Sequence, residues 1–107
     1  MDENIAGQAL GLAGLVAYQD GSIVSRTLVN KQTGTVTLFA FDKDQSLSEH
    51  TAPFDAMVVA IDGKAEITIS GKASTLSAGE MIIMPANEPH SLRASERFKM
   101  MLVMIKA

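Results

Sequence analysis

The chain contains two histidines, and each lies beside an apolar run bounded by turn residues. His50 begins the segment HTAPFDA (residues 50–56), which leads into an apolar run ending at Asp62-Gly63. His90 ends the segment GEMIIMPANEPH (residues 79–90). Imidazole can act as a general acid or base and is a common metal ligand. These two residues are therefore the first candidates for a functional site.

Composition limits what the rest of the chain can be. With 107 residues, 47% apolar and 20% charged, the chain fits one globular domain. Its net charge is −3 and it has few aromatic residues, so we expect no nucleic-acid partner. No apolar stretch reaches the roughly 20 residues of a membrane-spanning helix, so we expect no membrane partner. The absence of cysteine and an acidic N-terminus favour a cytoplasmic protein.

After residue 20 the sequence is a series of short β-like runs separated by turn residues. Alternation with a period of two, as at residues 65–70, places successive side chains on opposite faces of a strand. Asp62-Gly63 predicts a tight hairpin, and Ser70-Gly71-Lys72 predicts a second one. The only helix candidate is residues 4–13. The predicted strands cover residues 22–29, 35–41, 57–61, 65–70, 81–84, 90–94 and 98–105.

The last run is apolar on both faces, with Phe98, Met100, Leu102 and Met104 on one side and Met101, Val103 and Ile105 on the other. A strand of this kind is buried on both faces. We therefore predict an N-terminal arm at residues 1–20 that packs on the barrel or on a partner subunit, and a barrel domain at residues 21–107. A homodimer held through the N-terminal stretch and the last strand would cover the outer face. The alternative is that residues 5–18 fold back over that strand within one chain.

The two histidine segments resemble the two motifs of the cupin superfamily, over roughly residues 35–105. The first cupin motif carries His-x-His and a Glu, and the second carries one further His. His50 and His90 match, while Ala52 and Ala56 stand at the places of the second His and the Glu. The resemblance implies an all-β, cupin-type double-stranded β-helix (jelly-roll) barrel of the small conserved-barrel type, with an incomplete metal-ligand motif.

Two further positions depart from the cupin pattern. Asp44 stands where the first motif usually begins with glycine, and Asn87 stands where the second motif usually has one. Asparagine tolerates the left-handed backbone that such a glycine adopts, so the second change is mild.

In metal-binding cupins, four ligands hold iron, manganese, zinc, nickel or copper. The resemblance therefore makes His50 and His90 candidate metal ligands and a divalent transition metal the candidate cofactor, with water or substrate at the remaining positions. Strand pleating should point Asp55 outward, and Glu49 has the wrong parity relative to His50, so neither replaces a missing ligand. In the plainer interpretation, both histidines are hydrogen-bonded polar residues at a barrel mouth.

Strand parity also predicts where the ligand positions lie. Residues i, i+2 and i+6 of one strand face the same side, so His50, Ala52 and Ala56 should line one cavity, and His90 should join them from another strand. Shortening two ligands to alanine should enlarge that cavity. Met81, Met84, Met100 and Met104 could add to its lining, although methionine more often fills gaps in a core.

Three functions remain open. The first is a barrel that binds a small, largely apolar molecule in its interior, with His50, His90, Ala52 and Ala56 at the binding site. The second is an enzyme, either metal-dependent, of oxygenase or isomerase type with a His-only metal site, or a metal-free acid–base catalyst. The third is a structural or partner-binding domain with a vestigial cavity. The sequence favours the first, leaves catalysis undecided and does not name the ligand.

Overall fold

The alternating and β-branched runs of the sequence form nine strands in the computed structural model, which describes residues 5–106; residues 1–4 and 107 lie outside the described part. A single 3₁₀ turn at Leu12–Leu15 precedes the strands. The strands are β1 (Ile23–Lys31), β2 (Gly34–Phe41), β3 (Ser46–His50), β4 (Asp55–Asp62), β5 (Lys64–Ile69), β6 (Lys72–Ser77), β7 (Met81–Met84), β8 (His90–Ala94) and β9 (Phe98–Ile105).

The strands form two antiparallel sheets. The larger sheet has the order β1-β2-β9-β4-β7, and the smaller has the order β3-β8-β5-β6. Apolar side chains from both sheets meet in one buried cluster, so the sheets face each other across a shared interior. The prediction of an all-β jelly-roll barrel of the double-stranded β-helix type is confirmed. Within residues 5–106, no helix is long and apolar enough to cross a membrane.

One end of the space between the sheets is filled by buried side chains. Phe41 of β2 and Phe98 of β9 are opposed in register, and their ring centroids lie 6.0 Å apart. Ala60 lies in the same cluster, and Ala65 and Ala94 are opposed in the smaller sheet. Small residues beside the two rings allow the close packing that protein interiors require. We call these five residues the plug.

The sequence predicts seven of the nine strands with ends shifted by at most two residues. The two strands that it does not predict are β3 and β6. In each of them one large apolar residue, Leu47 or Leu76, faces the core, and the neighbouring positions are polar or small. Such strands form because their neighbours in the sheet pair with them, and a short polar run carries no clear alternation.

The two predicted hairpins have different outcomes. The turn at Ser70-Gly71 joins β5 to β6 as predicted, and both residues have positive φ, as a two-residue hairpin loop requires. The prediction of a hairpin at Asp62-Gly63 is wrong. β4 belongs to the larger sheet and β5 to the smaller, so the chain turns a corner between sheets at Gly63. A corner and a hairpin both favour glycine with positive φ, and their sequence signals are alike.

Residues 12–18, which we call the arm, cross the outer face of the larger sheet. Val16 is 5% exposed and packs with Leu38 and Ala40 of β2. The Tyr18 hydroxyl donates a hydrogen bond to the Asp62 carboxylate. Burial, reinforced by this carboxylate, raises the pKa of Tyr18, so the phenol keeps its proton and continues to donate. Lys99 and Arg26 donate hydrogen bonds to the carbonyl oxygens of Ala13 and Leu15. The arm is thus fixed to the barrel by apolar contacts and by hydrogen bonds at three of its residues.

The predicted helix over residues 4–13 is wrong in its described part. Residues 5–7 form a turn, and no helix precedes Leu12–Leu15 within the described chain. Gly7 adopts a positive φ, and Gly11 offers no side-chain cap to the 3₁₀ turn. Glycine is a poor helix former, which outweighs a weak apolar stripe. Residues 1–4 of the predicted arm at 1–20 lie outside the described residues.

Beyond the arm, the outer face of the larger sheet carries a group of exposed or half-buried apolar side chains. Met81, Ile83 and Ile105 are 47%, 53% and 58% exposed. Met57 is paired in register with both Ile83 and Val103, which makes the surface continuous from strand to strand. A contiguous apolar patch on a protein surface typically marks an interface. We call the following six residues the outer patch: Met57, Val59, Met81, Ile83, Val103 and Ile105.

We predict a homodimer in which a second copy covers the outer patch. Burying apolar surface contributes roughly 25 cal/mol per Å², and a standard interface buries about 1,600 Å² in total. Ile83→Glu would place a charge in the middle of this surface. Light scattering at micromolar concentration should then give the mass of one 11.4 kDa chain, where the parent protein gives two.

Thr75→Glu is the control, because it adds the same charge to an exposed position on β6 of the smaller sheet. This variant should remain dimeric. A parent protein that itself has the mass of one chain would contradict the prediction.

We also predict that Gly63→Ala destabilises the fold strongly. Gly63 has a φ of 75°, and a Cβ placed on it would lie 1.7 Å from the Arg97 carbonyl oxygen. Because backbone would have to shift, we expect a loss of about 2–4 kcal/mol in the free energy of unfolding, measured by urea titration.

Gly71→Ala separates the two causes of this loss. Gly71 has a φ of 81°, but nothing lies within 4 Å of the point that a Cβ on this residue would occupy, so this variant should lose only about 1 kcal/mol. Equal losses in the two variants would show that the contact with Arg97 does not matter.

Candidate functional site

Beyond the plug, the space between the sheets opens into a cavity of about 420 Å³. The strands that carry the plug also carry the cavity wall. On β2, Phe41 lies in the plug and Phe39, two residues away on the same face, lines the cavity. On β9, Phe98 and Met100 are related in the same way. The lining residues come from both sheets and are Phe39, Leu47, His50, Ala52, Phe54, Ala56, Val58, Met84, His90, Ser91, Leu92, Met100, Leu102 and Met104.

The pairing of β3 with β8 brings the two histidines together. His50 and His90 are partners in register across these antiparallel strands, just beyond an irregularity that follows Leu47. His90 points inward because it shares the face of β8 that Leu92 presents to the core, two residues along. His90 is 6% exposed, whereas His50 is exposed. The pair therefore lies at the mouth of the cavity, with His90 on the inner side.

The two imidazoles are in direct contact. Their Nε2 atoms lie 3.1 Å apart, and the rings meet edge to face with centroids 4.4 Å apart. His50 Nδ1 lies 2.7 Å from the carbonyl oxygen of Ser48, and His90 Nδ1 lies 3.2 Å from that of Glu88. A carbonyl oxygen only accepts, so each Nδ1 carries the hydrogen and donates it. These contacts fix both ring orientations and direct both Nε2 atoms toward each other.

Burial lowers the pKa of the His90 imidazole. The hydrogen bond to the Glu88 carbonyl raises this pKa and the neighbouring His50 lowers it, but burial has the largest effect. His90 is therefore held toward its neutral form, in which a ring nitrogen is free to accept a hydrogen bond or bind a metal.

Both alanines at the absent ligand positions also line the cavity, but strand parity is not the reason. Ala52 lies after the end of β3, and Ala56 lies on β4, in the opposite sheet from His50. The i, i+2, i+6 argument is therefore wrong as a description of one strand. The four residues meet because the chain crosses from one sheet to the other between His50 and Ala56, and the cavity lies between those sheets.

The two acidic residues near the first motif are directed elsewhere. The carboxylate of Asp55 accepts a hydrogen bond from the Ala86 amide, 2.9 Å away, and both Asp55 and Glu49 are exposed. Neither lines the cavity. Asp44 and Asn87 have φ values of 71° and 67°, so each adopts the left-handed backbone of the glycine that it replaces in the motif.

The sequence missed several residues of the cavity wall. Phe39 and Leu102 follow the alternation of their strands. Alternation shows which residues share a face of the strand, but it does not show which face points into the barrel. Phe54 lies in the segment between β3 and β4 and has no periodic signal. Of the four methionines named as candidates, three line the cavity; Met81 is instead 47% exposed on the outer face.

The described residues supply part of a metal site. No group of three or more His, Asp or Glu side chains among residues 5–106 is placed to hold an ion together. The two Nε2 atoms nevertheless have a suitable separation, since nitrogens bound about 2.1 Å from one ion at nearly a right angle lie about 3.0 Å apart. The histidine pair could therefore provide two adjacent ligands, and the others would have to come from water or a bound molecule.

Comparison with known proteins gives consistent results. The cupin domain family model matches residues 37–106. Among solved structures, the conserved protein SPY1581 of unknown function from Streptococcus pyogenes is 40% identical, with 94% of this chain and 89% of that chain covered and a TM-score of 0.91. A cupin superfamily protein from Desulfitobacterium hafniense DCB-2 is 25% identical, with 94% and 93% covered and a TM-score of 0.90.

A cupin 2 conserved barrel domain protein from Leptotrichia buccalis is 42% identical, with a TM-score of 0.88. The match covers 91% of this chain and 47% of that one, so this chain spans about half of its length. No curated protein matches the sequence.

The family model covers both histidine segments and eight of the nine strands in whole or in part. Two antiparallel sheets, a cavity between them and a histidine pair at its mouth agree with that match. The chain belongs to the cupin family, as a barrel of the conserved-barrel type with an incomplete metal-ligand motif.

Proposed function

We propose that this cupin barrel binds a small, largely apolar molecule in its interior, and that His50 and His90 hold the polar end of that molecule. The observation that carries the proposal is a cavity of about 420 Å³ whose described walls are apolar except for the two imidazoles and Ser91. Small-molecule sites typically have volumes of about 300–1,000 Å³ and combine apolar walls with a few converging polar groups. A chain without cysteine suits the reducing cytoplasm, where we propose that the protein acts.

The alanines at positions 52 and 56 support this proposal. Ala56 is 3% exposed, and both alanines line the cavity. A His and a Glu at these places would fill part of the cavity and make it polar. Alanine leaves space and apolar surface, which favours an apolar guest over a hydrated ion.

Narrowing the cavity should weaken binding. Ala56→Leu adds three carbon atoms to a wall that faces the opposite sheet, and we expect it to lower the affinity for a small apolar probe such as 4-propylanisole at least tenfold, by about 1.4 kcal/mol or more. Isothermal titration calorimetry on chelator-treated protein measures this loss. The expected change in stability is small, because the added atoms enter empty space.

Ala73→Leu makes the same chemical change at an exposed position of β6 and should leave the affinity unaltered. If neither the parent protein nor this control shows saturable binding with a panel of alkylbenzenes, alkylphenols and alkyl ethers, the binding proposal is wrong. A domain with a vestigial cavity would then be the better interpretation.

A metal-dependent enzyme of oxygenase or isomerase type is the second candidate. It is favoured by the anchoring of both Nδ1 atoms on backbone carbonyls, which is how metal-binding histidines are usually oriented, with both Nε2 atoms left to face one point. A bound divalent transition metal would polarise a substrate oxygen or activate water. His50 and His90 would hold it, and the apolar walls would orient the substrate and exclude bulk water.

Restoring the missing ligands tests whether this pair occupies the metal positions of the fold. Ala52→His combined with Ala56→Glu should raise the affinity for Co²⁺ at least about a hundredfold, because two protein ligands replace waters. Equilibrium dialysis gives the affinity, and the visible absorption of Co²⁺ reports the coordination number.

Adding His50→Ala to the double variant should remove most of that gain. If the double variant folds but binds Co²⁺ no better than the parent protein, then Ala52 and Ala56 do not stand at ligand positions.

A further inference from the structure

The histidine pair makes more hydrogen-bond contacts than two neutral imidazoles can satisfy. There are three contacts: Nδ1 of His50 to the Ser48 carbonyl, Nδ1 of His90 to the Glu88 carbonyl, and Nε2 to Nε2. Both carbonyls accept only, so the two N–H groups of the neutral rings are used at the Nδ1 atoms. The two Nε2 atoms then face each other with lone pairs, 3.1 Å apart. The pair is one hydrogen short.

The described protein does not supply that hydrogen. Within residues 5–106, the only side-chain contact of either Nε2 is the other imidazole. Ser91 is the remaining polar residue on the wall, and it makes no hydrogen bond to either ring. The carboxylate of Glu88, two residues before His90, accepts a hydrogen bond from the Ser70 hydroxyl outside the cavity. The missing hydrogen must come from outside the described chain.

A third proton on the pair would satisfy the count but would leave a charge without compensation. The described cavity wall holds no acidic residue, and its other side chains are apolar apart from Ser91. His90 is 6% exposed, so an unpaired positive charge that it carries or shares against these apolar walls is costly. A metal ion would also satisfy both lone pairs, but no third protein ligand converges on the pair among residues 5–106. A neutral donor requires neither a charge nor further ligands.

We infer that the ligand of this cavity carries a neutral hydrogen-bond donor, in its simplest form a hydroxyl group, on an apolar body, and that this donor binds at the paired Nε2 atoms of His50 and His90. The inference rests on the proposed function and names the class of ligand. A ligand without a donor leaves both lone pairs unpaired and loses affinity. The site therefore discriminates by the donor as well as by the apolar body.

The tautomers of the two rings can be measured without any ligand. In protein with isotope-labelled histidine at about pH 8, where free imidazole is neutral, nitrogen NMR should show hydrogen on Nδ1 and a bare Nε2 in both rings. A neutral ring with its hydrogen on Nε2 would overturn the inference, because the pair would then contain its own donor.

Three matched molecules test the ligand class on chelator-treated, full-length protein. 4-Propylphenol donates a hydrogen bond, 4-propylanisole has the same body without a donor, and 4-propylbenzoate brings an anion. By calorimetry, the phenol should bind about tenfold more tightly than the anisole, which is the effect of one hydrogen bond left unmade, and the benzoate should bind most weakly.

Variants of the two histidines test whether the preference for the phenol arises at this pair. Either His50→Ala or His90→Phe should bring the phenol and the anisole to within about twofold of each other, and using two positions guards against one variant failing to fold. Glu49→Gln changes the charge next to His50 at an exposed position and should keep the tenfold preference.

The outcomes separate the inference from the proposed function. If the parent protein binds the phenol and the anisole equally well, the inference of a donor at the histidine pair is wrong, but the proposed binding of an apolar molecule is not contradicted. Tightest binding of the benzoate would show that the pair is positively charged, which also overturns the inference. Binding of none of the three would overturn the proposed function and the inference together.

Discussion

The cavity depends on the packing of two phenylalanine rings at one end of the barrel. Phe41 and Phe98 are fully buried in a cluster to which the opposing sheet contributes the small residues Ala65 and Ala94, so large and small side chains fill that end together. The register between β2 and β9 is unbroken from Phe41 to Gly34, so the two rings and the cavity wall lie on one continuous inner face of the larger sheet. On β4 of the same sheet, the inward positions beyond the plug hold the smaller side chains of Val58 and Ala56. Large side chains therefore fill one end of the space between the sheets, and smaller ones leave the cavity beside it.

The sequence predicts a strand or a turn where that segment carries its own pattern. It does not predict which face of a strand is buried, because burial depends on the distant segments that pack on it. Alternation locates β2, for instance, but Leu38 and Phe39 are both apolar and both partly or wholly buried, one against the arm and one on the cavity wall. Likewise the spacing from His50 to Ala56 places both at one site, although the chain between them changes sheets. Contacts between distant segments, such as the meeting of the two Nε2 atoms, leave no mark on local spacing.

Loss of two metal ligands changes more than the affinity for an ion. Removing a His and a Glu turns polar wall into apolar wall and leaves the remaining imidazoles facing each other with no intervening group. In both candidate functions the same two lone pairs require a partner that accepts electron density, whether a hydrogen on a neutral group or a metal ion. The ring orientations that serve one partner serve the other, because the carbonyls of Ser48 and Glu88 fix them in either case. Under the proposed function, the two alanines make the wall apolar, and the cavity then suits a neutral molecule better than an ion.

The position of β3 in the smaller sheet bears on how a molecule enters. β3 is an edge strand with only β8 as its neighbour, and its pairing is irregular between Leu47 and His50. Moving β3 aside breaks one ladder of backbone hydrogen bonds, whereas moving β8 would break two. The exposed imidazole thus lies on an edge strand held by one irregular ladder, while His90 lies on a strand with two neighbours. Fewer backbone hydrogen bonds oppose a displacement of His50 than one of His90, so the two sides of the entrance differ in how firmly the sheet holds them.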